Sequence, residues 1–211
     1  MKSKLFKEVA KQSLENAEQW IRDAELLVEN ASYGHSYSLL VFADEEIAKA
    51  YVCWLVSEDM IPLDSKMAKD VFSKHRTKHE TLIGLHIGAE IKEELSKGKI
   101  KIEQILEESS TFTREDLEIF LDWMDKILDF TERMRQKGIY VDFDEREDKI
   151  VTPESISKEE TEELFQGIEY RFEYVKELIR EITESQKSIL RQFFKNLPKE
   201  TWKTSEITYK E

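Results

Sequence analysis

The run "YSLLVFADEEIAKAYVCWLV", residues 37–56, limits the fold more than any other stretch of the chain. Wound as a helix it is apolar on nearly every side, and such a helix is stable only where other elements surround it. The chain therefore has to build a bundle around this segment. Its composition suits a bundle, since hydrophobic residues make up 40% and charged residues 36%, with only 6 Gly and 3 Pro. That balance favours helices and leaves little turn chemistry for a sandwich or barrel.

Periodicity and breakers draw five long helical segments. The first covers about residues 4–30, with Ala17, Trp20, Ala24, Leu27 and Val28 on one side, and "NASYG" ends it. The second spans about 35–59 and is closed by Pro62. The third starts near Leu63, with Asp64 or Ser65 as its N-cap, and runs to about Leu95. Residues 98–112 read as a connector holding the short helical stretch "IEQILEE". Thr113, with Asp116 three residues on, resembles a capping arrangement and opens a fourth helix that ends at Gly138. The alternation in "IYVDFDEREDKIVTP" predicts a short extended segment or small hairpin near residues 139–153, with Tyr140 and Phe143 filling the edge of the core. Ser157 and Glu160 form a capping box that starts the last helix, which reaches about Asn196 before Pro198. The expected architecture is all-α, an antiparallel up-down helical bundle in one domain over residues 1–197, with a loosely held tail at 198–211.

Charge and cysteine content narrow the function classes. The net charge is −13, which argues against broad electrostatic binding of duplex nucleic acid. A small basic cleft stays compatible with it, and "KHRTKH" is the most basic short window. The single cysteine, Cys53, lies in the apolar run, so no disulfide framework is possible and a reducing compartment is expected. The N-terminal segment has no unbroken apolar core and no stretch of about eighteen apolar residues occurs. A cytoplasmic protein without a membrane association is the expectation.

The polar residues inside apolar stripes are the candidates for chemistry. Counting from His35, the positions Leu39, Phe42, Glu46, Lys49 and Cys53 all fall within about 40° of it, which predicts one buried stripe carrying His35, Glu46 and Lys49. Buried Glu and Lys need partners, and the neighbouring third helix offers His75, Arg76, Lys78 and His79. On a continuous third helix, His75, His79 and His86 share one inward face with Ala68, Phe72, Leu82 and Ile83. Two chemistries fit these residue types. A metal could be held by His75 and His79 with Asp44, Glu45 or Glu46 across the helix pair, although bundle-core carboxylate sites use Glu followed three residues later by His, a pair absent here. Metal-free phosphoryl chemistry on RNA is the other, with a histidine taking the 2′-hydroxyl proton and Arg or Lys stabilising the charged phosphorane. A core network in a non-catalytic interaction module uses the same residues. No cofactor is indicated, and the spacing does not favour a metal.

Three stretches, "AEQWIRDAELLVENASYGHSYSLLVFADEEIAKAYVCWL", "FSKHRTKHETL" and "RMRQKGIYVDFDEREDKIVTPESISKEE", resemble in order and spacing the AbiV abortive-infection family of the HEPN superfamily. The resemblance covers roughly residues 14–185. It implies a HEPN-like helical bundle, dimeric as a rule, from a prokaryotic anti-phage system that shuts down translation. RNA, the translation machinery or a phage protein are the partners it implies. Many HEPN proteins are metal-independent endoribonucleases whose usual motif is Arg followed after four to six residues by His. Here Arg76 is followed at those positions by Thr81, Leu82 and Ile83. The resemblance therefore carries over to Glu46, Lys49, His75 and Lys78, and geometry adds Arg76 and His79.

Overall fold

The computed structural model describes residues 2–82, 85, 126, 130–131, 133–144, 148–184, 187–188 and 190–191. The expectations for the connector at 98–112, the start of the fourth helix at Thr113, His86 and the tail at 198–211 lie outside the described residues.

Helix α1, Lys2–Glu29, and helix α2, Tyr33–Ser57, form an antiparallel pair. Their contact is built from small residues at seven-residue spacing: Ala10, Ala17 and Ala24 on α1, and Ser36, Ala43 and Ala50 on α2, all essentially fully buried. Short side chains let the backbones approach closely, and Ser36 Oγ donates to Ala24 O at 2.9 Å. At the other end Ser3 Oγ donates to Ser57 O at 2.9 Å. The turn between the helices carries Ala31 at φ 56°, with Ser32 N donating back to Leu27 O at 2.8 Å.

Helix α2 is surrounded as its sequence requires. Leu40, Ile47, Val52 and Leu55 are each no more than 1% exposed. Helix α4, Lys158–Glu181, lies along it in the same direction. Thr161 Oγ1 donates to Tyr33 O at 3.3 Å near the start, and Arg171 meets Asp44 midway. The capping box expected at Ser157 is present: Glu160 N donates to Ser157 Oγ at 3.1 Å and Ser157 N to Glu160 Oε2 at 2.7 Å. The last helix is not continuous to Asn196, however. Ile182 turns extended at ψ 128°, and helical residues resume at Glu184. Ile182 and Thr183 are β-branched and poor helix formers, so the break costs little. It brings Lys187 Nζ to Glu58 Oε2 at 2.9 Å and Arg191 Nε to Glu58 O at 2.9 Å.

The third helix also departs from expectation. Ser65 caps it, accepting from Ala68 N at 3.3 Å, but helix α3 is only Lys66–Asp70. A turn at 71–73 follows, and helical residues restart at 75 with Lys74 O accepting from Lys78 N. Val71, Phe72 and Ser73 are weak helix formers, and the turn rotates the second piece relative to the first. Phe72, expected on the inward face, is instead 46% exposed and meets Phe6 edge-on. Thr77, Lys78, His79, Thr81 and Leu82 turn inward.

Strands β1, Asp142–Asp144, and β2, Lys149–Val151, form the small antiparallel hairpin, with Phe143 opposite Ile150. Tyr140 does not fill the core edge: it is 60% exposed, beside a still more exposed Val141. Val151, Pro153 and Ile156 supply the buried contact instead. Pro153 packs so tightly on α2 that a Cβ on Gly34 would lie 2.2 Å from Pro153 O. At Gly138 a Cβ would lie 2.2 Å from Ser38 Oγ and 2.4 Å from Gly34 O. Glycine at both positions is what lets these segments close on the start of α2. Among the described residues, no helix is long and apolar enough to cross a membrane.

Candidate functional site

The polar centre of α2 is three consecutive carboxylates, and steps of about 100° per residue aim them at three different neighbours. Asp44 faces α4, where Arg171 grips it with two parallel bonds: Nε donates to Oδ1 at 2.8 Å and Nη2 to Oδ2 at 2.7 Å. Glu46 stays on its own helix and bonds Lys49. Glu45 faces the helical residues 75–82 and gathers a cluster of bases from them.

Glu45 is 5% exposed, and both its oxygens are engaged. Lys78 Nζ donates to Oε2 at 2.8 Å, from a side chain only 10% exposed. His75 Nδ1 lies 2.6 Å from Oε1, and against a carboxylate that nitrogen must carry the hydrogen. His79 Nε2 approaches the same oxygen at 3.8 Å, longer than a hydrogen bond. Burial alone would push the Glu45 carboxyl up. Hydrogen bonds from Lys78 and His75, with the charge behind them, outweigh burial and hold it below the ordinary carboxylate range.

The imidazole of His75 is 51% exposed. With Nδ1–H committed to Glu45, the neutral ring keeps its lone pair on Nε2, which leaves one imidazole of fixed tautomer at the surface, oriented by a buried carboxylate. This is the arrangement of a general base and its orienting acid. Arg76, beside His75 in sequence, is 44% exposed and its Nε donates to Glu80 Oε1 at 2.9 Å. It sits on the outer side of this helix, away from the buried face that holds Lys78 and His79.

The structure thus brings together His75, Lys78 and His79 and places Arg76 at the rim. It does not join Glu46 and Lys49 to them by any bond. The acid across from the imidazoles is Glu45, and the stripe through His35, Leu39, Phe42, Glu46 and Lys49 is the least covered side of α2. His35 is exposed and meets Ser32 Oγ at 3.0 Å. A helix that is apolar all round has no phase from which to read which side faces in, so the sequence alone points to Glu46 where the fold uses Glu45. Arg171 carries no local signal for a different reason. It lies 127 residues from Asp44, in a helix whose charges all look alike. Cys53 is buried, which pushes its thiol up to about 12 and keeps it out of any thiolate chemistry.

Among the described residues no group of three or more His, Cys, Asp or Glu side chains takes up metal-binding spacing. Both oxygens of Glu45 are engaged by bases, Oε2 by Lys78 and Oε1 by His75. A family model described as AbiV, of the HEPN type, matches residues 5–171. No curated protein and no solved structure matches the chain.

Proposed function

The chain belongs to the HEPN-type AbiV family, and from that membership we propose that it is an abortive-infection effector that acts on RNA through the Glu45-centred cluster. The observation that supports this reading is the Glu45–His75 pair, a buried carboxylate 2.6 Å from a half-exposed imidazole. In the proposed reaction His75 Nε2 takes the proton of a ribose 2′-hydroxyl. The 2′-oxygen attacks the adjacent phosphorus, the bond to the 5′-oxygen breaks, and that oxygen leaves with a proton from water. The products are a 2′,3′-cyclic phosphate and a 5′-hydroxyl. The role of meeting the charge that builds on the phosphate goes to Arg76, the sequence neighbour of His75, which would have to turn from Glu80 to take it. Glu45 orients the base, and Lys78 and His79 hold Glu45.

The test is incubation of the full chain with total RNA and tRNA in EDTA, with the cut ends mapped. Cleavage leaving cyclic phosphate ends, lost in His75→Ala and reduced at least tenfold in Glu45→Gln, is the expected result. RNA left whole, or cut equally by His75→Ala, overturns the nuclease reading. A second reading, a non-catalytic protein-interaction module, is favoured by the burial of Lys78 and His79, 8% and 6% exposed, which makes them core network rather than substrate contacts. On that reading RNA stays whole and growth arrest in cells survives His75→Ala.

A further inference from the structure

Away from the Glu45 cluster, α1 and α4 flank a half-open groove of about 380 Å³. Because α1 runs against α2 and α4 runs with it, the start of α1 lies beside the end of α4. The floor is apolar, made by Leu14, Phe172 and Ile179. The rim charges are uneven: Lys4, Lys7 and Arg180 stand at one end and Glu15 and Glu18 at the other, while Lys176 between them lies over the Phe172 ring and is paired with Glu173. Among the described residues no carboxylate pairs with Lys4, Lys7 or Arg180, in a chain of net charge −13. Glu8, at the same end, accepts a bond from Gln12 Nε2 at 2.8 Å, and Lys11 is drawn towards Glu15 at 3.6 Å.

We propose that this groove binds a small soluble anionic amphiphile, a phosphate or carboxylate head on an aliphatic tail. Its head sits between Lys4, Lys7 and Arg180, and its tail lies along Ile179, Phe172 and Leu14. The volume falls within the range of small-ligand sites, which are mostly apolar with a few converging polar groups. From Lys4 to Leu14 the helix rises about 15 Å, the reach of a medium-length alkyl chain. The carboxylates at the far end repel a second anionic head, so the site takes one head and one tail. A free amphiphile is favoured over a bilayer because the acidic body of the protein is repelled by an anionic membrane surface.

Titration calorimetry of the full chain with dodecyl phosphate, kept below its micellar concentration, tests this. Saturable binding of one molecule per chain is expected, with inorganic phosphate and dodecyltrimethylammonium each at least tenfold weaker. The double variant Lys7→Glu with Arg180→Glu should lose at least tenfold in affinity while keeping the far-ultraviolet circular dichroism of the parent. Both residues are at the groove rim and outside the Glu45 cluster, so RNA cleavage by this variant is expected to be unchanged. Absence of saturable binding, equal binding of the cationic surfactant, or unchanged affinity in the double variant each overturns the proposal. So does capture by phosphatidylglycerol vesicles without binding of the free monomer.

Discussion

Replacing Glu45 by Gln should destabilise the fold by about 3 kcal/mol at pH 7, the lower end of the cost of breaking a buried ion pair. The reasoning starts from burial: the Glu45 and Lys78 side chains are 6% and 10% exposed. An amide offers one acceptor and one donor group. Gln can turn its oxygen to Lys78 and its NH₂ to a His75 ring that carries its hydrogen on Nε2, but it has no charge, so the buried Lys78 ammonium loses its counterion. His75, being half-exposed, loses little, and Lys78 carries most of the loss. Lys78→Met should cost less, about 2 kcal/mol, because Glu45 keeps its bond from His75. The double variant should then fall short of the sum of the single losses by about 1.5 kcal/mol or more. Urea unfolding followed by circular dichroism measures all three. The pH dependence supplies an independent check. The native carboxyl of Glu45 lies below its ordinary value, so its contribution is fully present above the unfolded value of about 4.3. It is lost as pH falls through the lower native value. The gap between parent and Glu45→Gln should therefore shrink as the pH falls below about 4.3. Single losses under about 1 kcal/mol, or additive ones, would refute the claim that this pair is buried and coupled.

Three further outcomes follow from other parts of the structure. Arg171→Lys keeps the charge but loses the two-pronged grip on Asp44 and should cost about 1–3 kcal/mol in the same unfolding assay; an unchanged midpoint would mean that the α2–α4 contact does not depend on it. Gly138→Ala should cost at least about 2 kcal/mol, because the added methyl meets backbone at Gly34 O, 2.4 Å away, and a loss under half that would show that the hairpin approach relaxes freely. Ala31→Gly relieves a positive φ of 56° and should raise stability by about 1 kcal/mol, read as a higher melting temperature, whereas a lower one would contradict the strain assigned to that turn.

Much of the fold was legible because it depends on patterns a short window can show. The all-round apolar run predicted an enclosed α2. The Ser157–Glu160 box marked the start of α4, since both its bonds are local. The alternation after Gly138 marked the hairpin. The breaks at 71–73 and at Ile182 were not legible, because the residues there are only mildly unfavourable in a helix and tertiary contacts decide between bending and continuing.

The site divides along the same line. The sequence by itself determined that the acids on α2 would have to meet bases, because unpaired charge in an enclosed helix is too costly to persist. Only the tertiary structure decided that Glu45 meets His75 and Lys78, that Asp44 takes Arg171, and that Glu46 turns to Lys49. Neighbouring residues differ by about 100°, and an apolar surface that closes all the way round the helix carries no mark of which direction each neighbour occupies.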